Sequence, residues 1–184
     1  MAEVRIIGGQ WKRSKLPVAE NKPGLRPTPD RVRETLFNWL GQDLSGWRVL
    51  DAFAGSGALG FEAGSRGAAE VRMLERDGQL ADSLRQSKTR LKAEALHIEC
   101  TNALTWMERC EPARFELVLL DPPFDANLFD KALAAAVRVA VPSGLVYLEA
   151  DREVTPPEGW ESWRSARAGA VHYGVFKRSL RSEP

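Results

Sequence analysis

Val49-Leu-Asp-Ala-Phe-Ala-Gly-Ser-Gly-Ala-Leu-Gly60 is an apolar strand, a glycine turn and the start of a helix in twelve residues. Gly55, Gly57 and Gly60 fit G-x-G-x-x-G, in which glycine allows a tight turn and the close approach of a ligand to the backbone. Strand–helix alternation continues downstream. Strands are predicted at Val49–Ala52, Val71–Glu75, Leu96–Cys100, Phe115–Leu120 and Leu145–Ala150. Helices are predicted at Ala58–Arg66, Gln79–Ala93, Ala103–Arg109 and Asn127–Val139. Five strands separated by helices make an α/β domain, a parallel sheet with helices on both faces. The alternation then stops: Trp160–Arg167 and Val171–Arg178 read as an antiparallel hairpin around Gly169. Upstream, Val4–Ile7 reads as a short strand and residues 10–28, rich in Pro and Gly, as extended or looped. A helix is expected from Thr28 to about Leu40, with Pro29 in its first turn and Val32, Leu36, Phe37 and Leu40 on one face.

The glycine turn alone suits nucleotide cofactors of more than one kind. Asp51, just before the turn, would repel a pyrophosphate and favour a ligand carrying an ammonium and a sulfonium, as S-adenosylmethionine does. An acid there can also simply order the loop. Glu75 ends the next strand, where it could accept ribose hydroxyls. Asn102 could meet an adenine edge beside the Ala103 amide, or cap the following helix, or both. Asp51, Glu75, Thr101-Asn102 and Asp121 thus end successive strands, the edge at which open α/β sheets bind ligands. Glu149 and Asp151 end the fifth strand and are expected to form salt bridges or caps, with a substrate role the lesser alternative.

The run Phe115–Leu120 leads into Asp121-Pro122-Pro123-Phe124. Neither proline can donate a ladder hydrogen bond, so the strand stops at a rigid corner. That corner presents a carboxylate, a free carbonyl and an aromatic ring. The set fits a planar base with an exocyclic amine: Asp121 and the Pro122 carbonyl accept its two N–H protons, and Phe124 stacks on the ring.

The chain has 184 residues, 43% of them hydrophobic, enough for one domain with a real core. No apolar run nears the ~20 residues of a membrane span, and no signal peptide is evident, so a cytoplasmic protein is expected. Two cysteines and two histidines make a disulfide framework or a metal site improbable. Residues 1–33 hold eight Lys or Arg against three acids, a local +5 in a chain of net charge +1. Such a segment suits a polyanion, or is a solvated surface.

Four stretches together resemble a known family: Arg5-Ile-Ile-Gly-Gly-Gln-Trp-Lys12, Arg26-Pro-Thr-Pro-Asp-Arg-Val-Arg-Glu-Thr-Leu-Phe-Asn38, Leu50–Gly60 and Asp121–Phe124. The sequence is similar to the RsmD-type guanine-N2 methyltransferases of bacterial small-subunit ribosomal RNA. The last two stretches occur widely among methyltransferases; the first two are far more specific. The resemblance implies a class I methyltransferase (Rossmann-like) fold: a seven-stranded, mostly parallel sheet with helices on both faces, a terminal antiparallel hairpin and a small N-terminal extension. It implies S-adenosylmethionine as methyl donor, with Asp51, Phe53, Gly55, Gly57, Glu75, Asn102 and Ala103 around it. Asp121, Pro122, Pro123 and Phe124 would receive the base. Residues 1–40 would form a basic extension for RNA contact and 41–184 the catalytic domain. Lys12, Arg13, Lys15, Arg26, Arg31 and Arg33 would contact 16S ribosomal RNA phosphates, with a small-subunit assembly particle as the expected substrate and a monomer as the expected state. Trp11 is expected to pack against the domain. Three alternatives stand beside this reading: an amino-methyltransferase acting on DNA or a protein glutamine, a dinucleotide-dependent oxidoreductase, and a non-catalytic RNA-binding protein.

Overall fold

A computed structural model describes residues 2–20, 22, 27–123 and 126–180. Strands β1 (Ala2–Arg5) and β2 (Lys15–Val18) pair antiparallel as a separate two-stranded sheet, followed by helix α1 (Asp30–Leu40). The alternating core is β3 (Arg48–Asp51), α2 (Ala58–Ser65), β4 (Glu70–Glu75), α3 (Gly78–Leu91), β5 (Leu96–Cys100), α4 (Ala103–Arg109), β6 (Phe115–Leu120), α5 (Ala126–Val139) and β7 (Ala140–Ala150). It closes with the hairpin β8 (Trp160–Ala168) and β9 (Val171–Arg178). The sheet order is β5-β4-β3-β6-β7-β9-β8, with β3 to β7 parallel and the hairpin strands antiparallel. This is the class I methyltransferase arrangement that the resemblance implies. The chain winds outward from β3 to β5, then returns to lay β6 on the other side of β3. The β3–β6 junction is therefore the topological switch point, where the crevice of an open α/β sheet lies.

Side-chain alternation divides the core into two layers. On one face Val49, Leu117, Leu119 and Tyr147 pack with α1, α2 and α3 through Leu36, Phe37, Phe61 and Leu84. On the other, Leu50, Val118, Leu120, Val146 and Leu148 pack with α4 and α5 through Met107, Ala132 and Ala136. Val4, Ile6, Trp11, Leu16 and Val18 belong to the first layer, so the N-terminal segment shares the core of the rest of the protein. Trp11 is buried with its ring edge-on to Phe61.

Three expectations require correction. Residues 10–28 are not all loop: Lys15–Val18 forms β2, because Leu16 and Val18 alternate inward and Pro17 faces away on a two-stranded edge, where its missing N–H costs little. Strand β7 begins at Ala140 rather than Leu145, its early part running past a register irregularity between Phe115 and Leu117 of β6. Helix α1 starts at Asp30, with Pro29 as the flanking residue and Thr28 outside it. Among the described residues no helix is long and apolar enough to cross a membrane.

Candidate active site

A cavity of about 890 Å³ opens at the carboxyl ends of β3, β4, β5, β6 and β7. That is near the upper end of small-molecule sites, with room for more than one flat group. Asp51, Phe53, Gly55, Glu75, Asn102, Ala103, Asp121, Pro122 and Pro123 line it; Gly57 is not among the lining residues. Phe124 lies outside the described residues, as does Arg26. The remaining wall includes Pro27, Thr28 and Pro29, together with Val171 of the hairpin.

The hydrogen bonds of the glycine turn separate the possible cofactors. Gly55 and Gly57 have φ of 54° and 85°, left-handed values that glycine adopts without strain. The Gly55 N–H donates to Glu75 Oε1 (3.0 Å), the Gly57 N–H to the Ala54 carbonyl (2.8 Å) and the Gly60 N–H to Asp51 Oδ2 (3.0 Å). None of the three glycine amides is left for a phosphate. Glu75 Oε2 accepts from the Asp77 N–H at 2.7 Å, yet each carboxylate oxygen retains a lone pair for a ribose hydroxyl. Asn102 caps α4, its Oδ1 accepting from the Thr105 N–H at 3.0 Å, and its exposed amide NH2 remains available. Among the described residues the charged lining comprises five acids (Asp51, Glu75, Asp77, Asp121, Glu149) and two bases, of which Lys22 is paired with Asp77 at 3.0 Å. A cavity of that sign suits a cation and repels a dinucleotide.

Three of these acids point the same way from neighbouring strands. Asp51 follows Val49, Asp121 follows Leu119 and Glu149 follows Tyr147 at the two-residue period, so all three leave the sheet on the α1–α2 face. Leu120 stands beside Leu148 across β6 and β7, and the next register step brings Asp121 beside Glu149. Burial pushes Asp51 up to about 7, against the Gly60 hydrogen bond, with Glu75 and Glu149 adding to the rise. Burial likewise lifts Asp121 well above the usual carboxylate range, helped by the charges of Glu149 and Asp51. Glu149 is raised by burial and held down by the Thr28 hydroxyl, which donates to its Oε2 at 2.8 Å. Asp121 and Glu149 act on each other: Glu149 lifts Asp121, and Asp121 holds Glu149 down.

Glu149 was expected to form a salt bridge or cap. Among the described residues it does neither: it is buried, lines the cavity, and is anchored by Thr28. Asp151, by contrast, is exposed beside Arg152 at 3.5 Å. The signal for Glu149 was its parity with Tyr147 and its place at a strand end like that of Asp121. Thr28, read from the sequence as a helix start, was missed because its partner lies 121 residues away.

The candidate phosphate contacts divide. Lys12, Arg13 and Arg31 are exposed, as is Lys15, which pairs with Glu3 at 3.4 Å. Arg33 corrects the expectation. It is fully buried and bonded to Glu62 (3.0 Å), to the carbonyls of Thr28 and Arg5, and to Asp30. Glu62, also fully buried, further accepts from the Ile7 and Gly8 amides and from Arg66. This network fastens the N-terminal segment and the start of α1 onto α2.

The chain matches the family described as Conserved hypothetical protein 95 over residues 4–177. The Ribosomal RNA small subunit methyltransferase D of Haemophilus influenzae is 41% identical over 182 residues, covering 95% of this chain and 94% of that protein. That of Escherichia coli K12 is 39% identical over 186 residues, covering 98% and 93%. The solved structure of the yhhF protein of Escherichia coli superposes with a TM-score of 0.86 at 39% identity, covering 98% of this chain and 100% of that one.

Proposed function

The chain belongs to the Conserved hypothetical protein 95 family, to which its likeness to ribosomal RNA small subunit methyltransferase D attaches it over nearly its whole length, and on that premise we propose that it methylates the exocyclic N2 amine of a guanine in 16S ribosomal RNA. One observation carries the site assignment. Asp51 and Asp121 flank the switch point on the same face of the sheet, so the cofactor turn and the Asp-Pro-Pro corner open into one cavity.

The residues fit S-adenosylmethionine: the glycine amides are taken, the lining is acidic, and Asp51, Glu75 and Asn102 stand where an amino acid, a ribose and an adenine can each be met. Phe53, Gly55 and Ala103 complete that wall, and Gly57 shapes the turn behind it. When bound, the cofactor supplies an electrophilic methyl group.

The protein's own task is to make a poor nucleophile attack. The lone pair of a guanine amine is delocalised into the ring. Donating its two hydrogens to Asp121 and to the Pro122 carbonyl draws the nitrogen toward tetrahedral and localises that pair. The prolines fix the direction of both acceptors, so alignment supplies much of the rate. Positive charge developing on nitrogen offsets the neighbouring acids that raise Asp121, so the carboxylate form is favoured as the methyl transfers and stabilises that charge. The proton is lost after transfer, and the Asp121–Glu149 pair stands next to it. Phe124 would stack on the flipped base, worth about 1–3 kcal/mol, offsetting part of the few kcal/mol of unstacking. Pro123, exposed at the rim, closes the corner.

Residues 1–40 carry the RNA-contacting cations in this reading and 41–184 most of the catalytic part, with Pro27 to Pro29 completing the cavity wall. Lys12, Arg13, Lys15, Arg26 and Arg31 supply sequence-independent phosphate affinity. The protein acts in the cytoplasm as a monomer on a partly assembled small subunit. Mass spectrometry of 16S ribosomal RNA from a deletion strain tests this: one N2-methylguanine should disappear and return on complementation. An unchanged modification profile overturns it.

A further inference from the structure

Glu149 is the buried group at this site that holding the amine leaves without a task. It lines the cavity, touches Asp121, and has one oxygen fixed by the Thr28 hydroxyl at 2.8 Å. Among the described residues no cation acts on either carboxyl group. Among the described residues no three His, Cys, Asp or Glu side chains are placed to hold a metal ion. Two adjacent carboxyl groups with no cation beside them among the described residues are matched by a ligand edge that presents hydrogen-bond donors side by side.

Among the bases, guanine has that edge. Its N2 amine adjoins the N1–H, so neighbouring atoms both donate. In adenine and cytosine the ring nitrogen beside the exocyclic amine is an acceptor. Its lone pair would face a carboxylate lone pair. We propose that Glu149 accepts the N1–H of the target guanine while Asp121 accepts one N2–H, making Glu149 the residue that selects guanine. This rests on the functional reading above. Thr28 serves the same end, because its hydroxyl donates to Glu149 and so favours the ionised, accepting form. The segment that brings Thr28 to the site is anchored by Arg33 to Glu62, which explains why a strand-end carboxylate depends on residues before α1.

The test uses small subunits reconstituted with 16S RNA bearing either guanine or 2-aminopurine at the methylated position. 2-Aminopurine keeps the amine and replaces the N1–H by an acceptor. The wild-type protein should favour guanine in kcat/KM by about 100-fold or more, as expected where a built hydrogen bond is left unmade. Glu149→Gln, whose amide can donate to that acceptor, should bring the ratio below about 10-fold. It should still give a thermal shift with S-adenosylhomocysteine. A ratio identical in wild type and Glu149→Gln overturns the inference alone. Absence of wild-type transfer to the guanine particle overturns the functional reading and this inference with it. Should Glu149→Gln fail to fold, the wild-type ratio decides: near unity, it overturns the assignment.

Discussion

Thr28 Oγ1 donates to Glu149 Oε2 across 2.8 Å, joining the segment before the first helix to the tip of β7. Both groups are buried and both line the cavity. Thr28→Val keeps the shape and removes the donor, leaving Glu149 short of a hydrogen bond. The expected cost is about 1–3 kcal/mol in unfolding free energy. Methyl transfer should fall more than cofactor affinity, since Asp51 and Glu75 are untouched. Denaturant titration, kcat and cofactor affinity, measured together, check this.

Asp51 ties stability to cofactor binding through pH. Its folded value, about 7, lies above its ordinary 3.8. Between those values the folded state keeps a proton that the unfolded state has released. The ligand-free protein should therefore lose stability as pH rises from about 4 to about 7, and Asp51→Asn should flatten that decline. Affinity for the cationic cofactor should move oppositely, weakening about tenfold per unit of pH below 7 as Asp51 becomes neutral. Calorimetric titration across pH 5 to 8 measures both trends.

Arg33 and Lys12 should separate folding from RNA contact. Arg33→Ala removes one of the two cations on the fully buried Glu62 and leaves the Thr28 and Arg5 carbonyls short of a donor, and should cost about 3 kcal/mol. Lys12→Ala and Arg13→Ala remove exposed charges and should change stability by no more than about 0.5 kcal/mol. Each should weaken binding to small-subunit RNA and lower the slope of log affinity against log salt by about one. Chemical denaturation and binding at several salt concentrations distinguish the two classes.

Local pattern carried most of the architecture. The glycine turn, the apolar runs ending in acids and the double proline each announce themselves within a dozen residues, and so the alternating core and the acid-lined edge were readable. Strand β2 was hidden because Pro17 disguises an edge strand whose inward residues are only Leu16 and Val18. Arg33 looked like one more surface cation. Its burial depends on Glu62, 29 residues on, and no local rule pairs them. Glu149 and Thr28 were misread for the same reason: their roles arise where the sheet order brings β7 beside β6 and the N-terminal segment over both.

Transfer of tritiated methyl groups to small subunits from a deletion strain, by wild type and Asp121→Ala with cofactor affinity titrated in parallel, tests the central claim most directly. Asp121→Ala should bind S-adenosylmethionine within about threefold of wild type yet transfer at least about 100-fold more slowly, the scale of a lost transition-state contact. Transfer by Asp121→Ala at the wild-type rate contradicts the account.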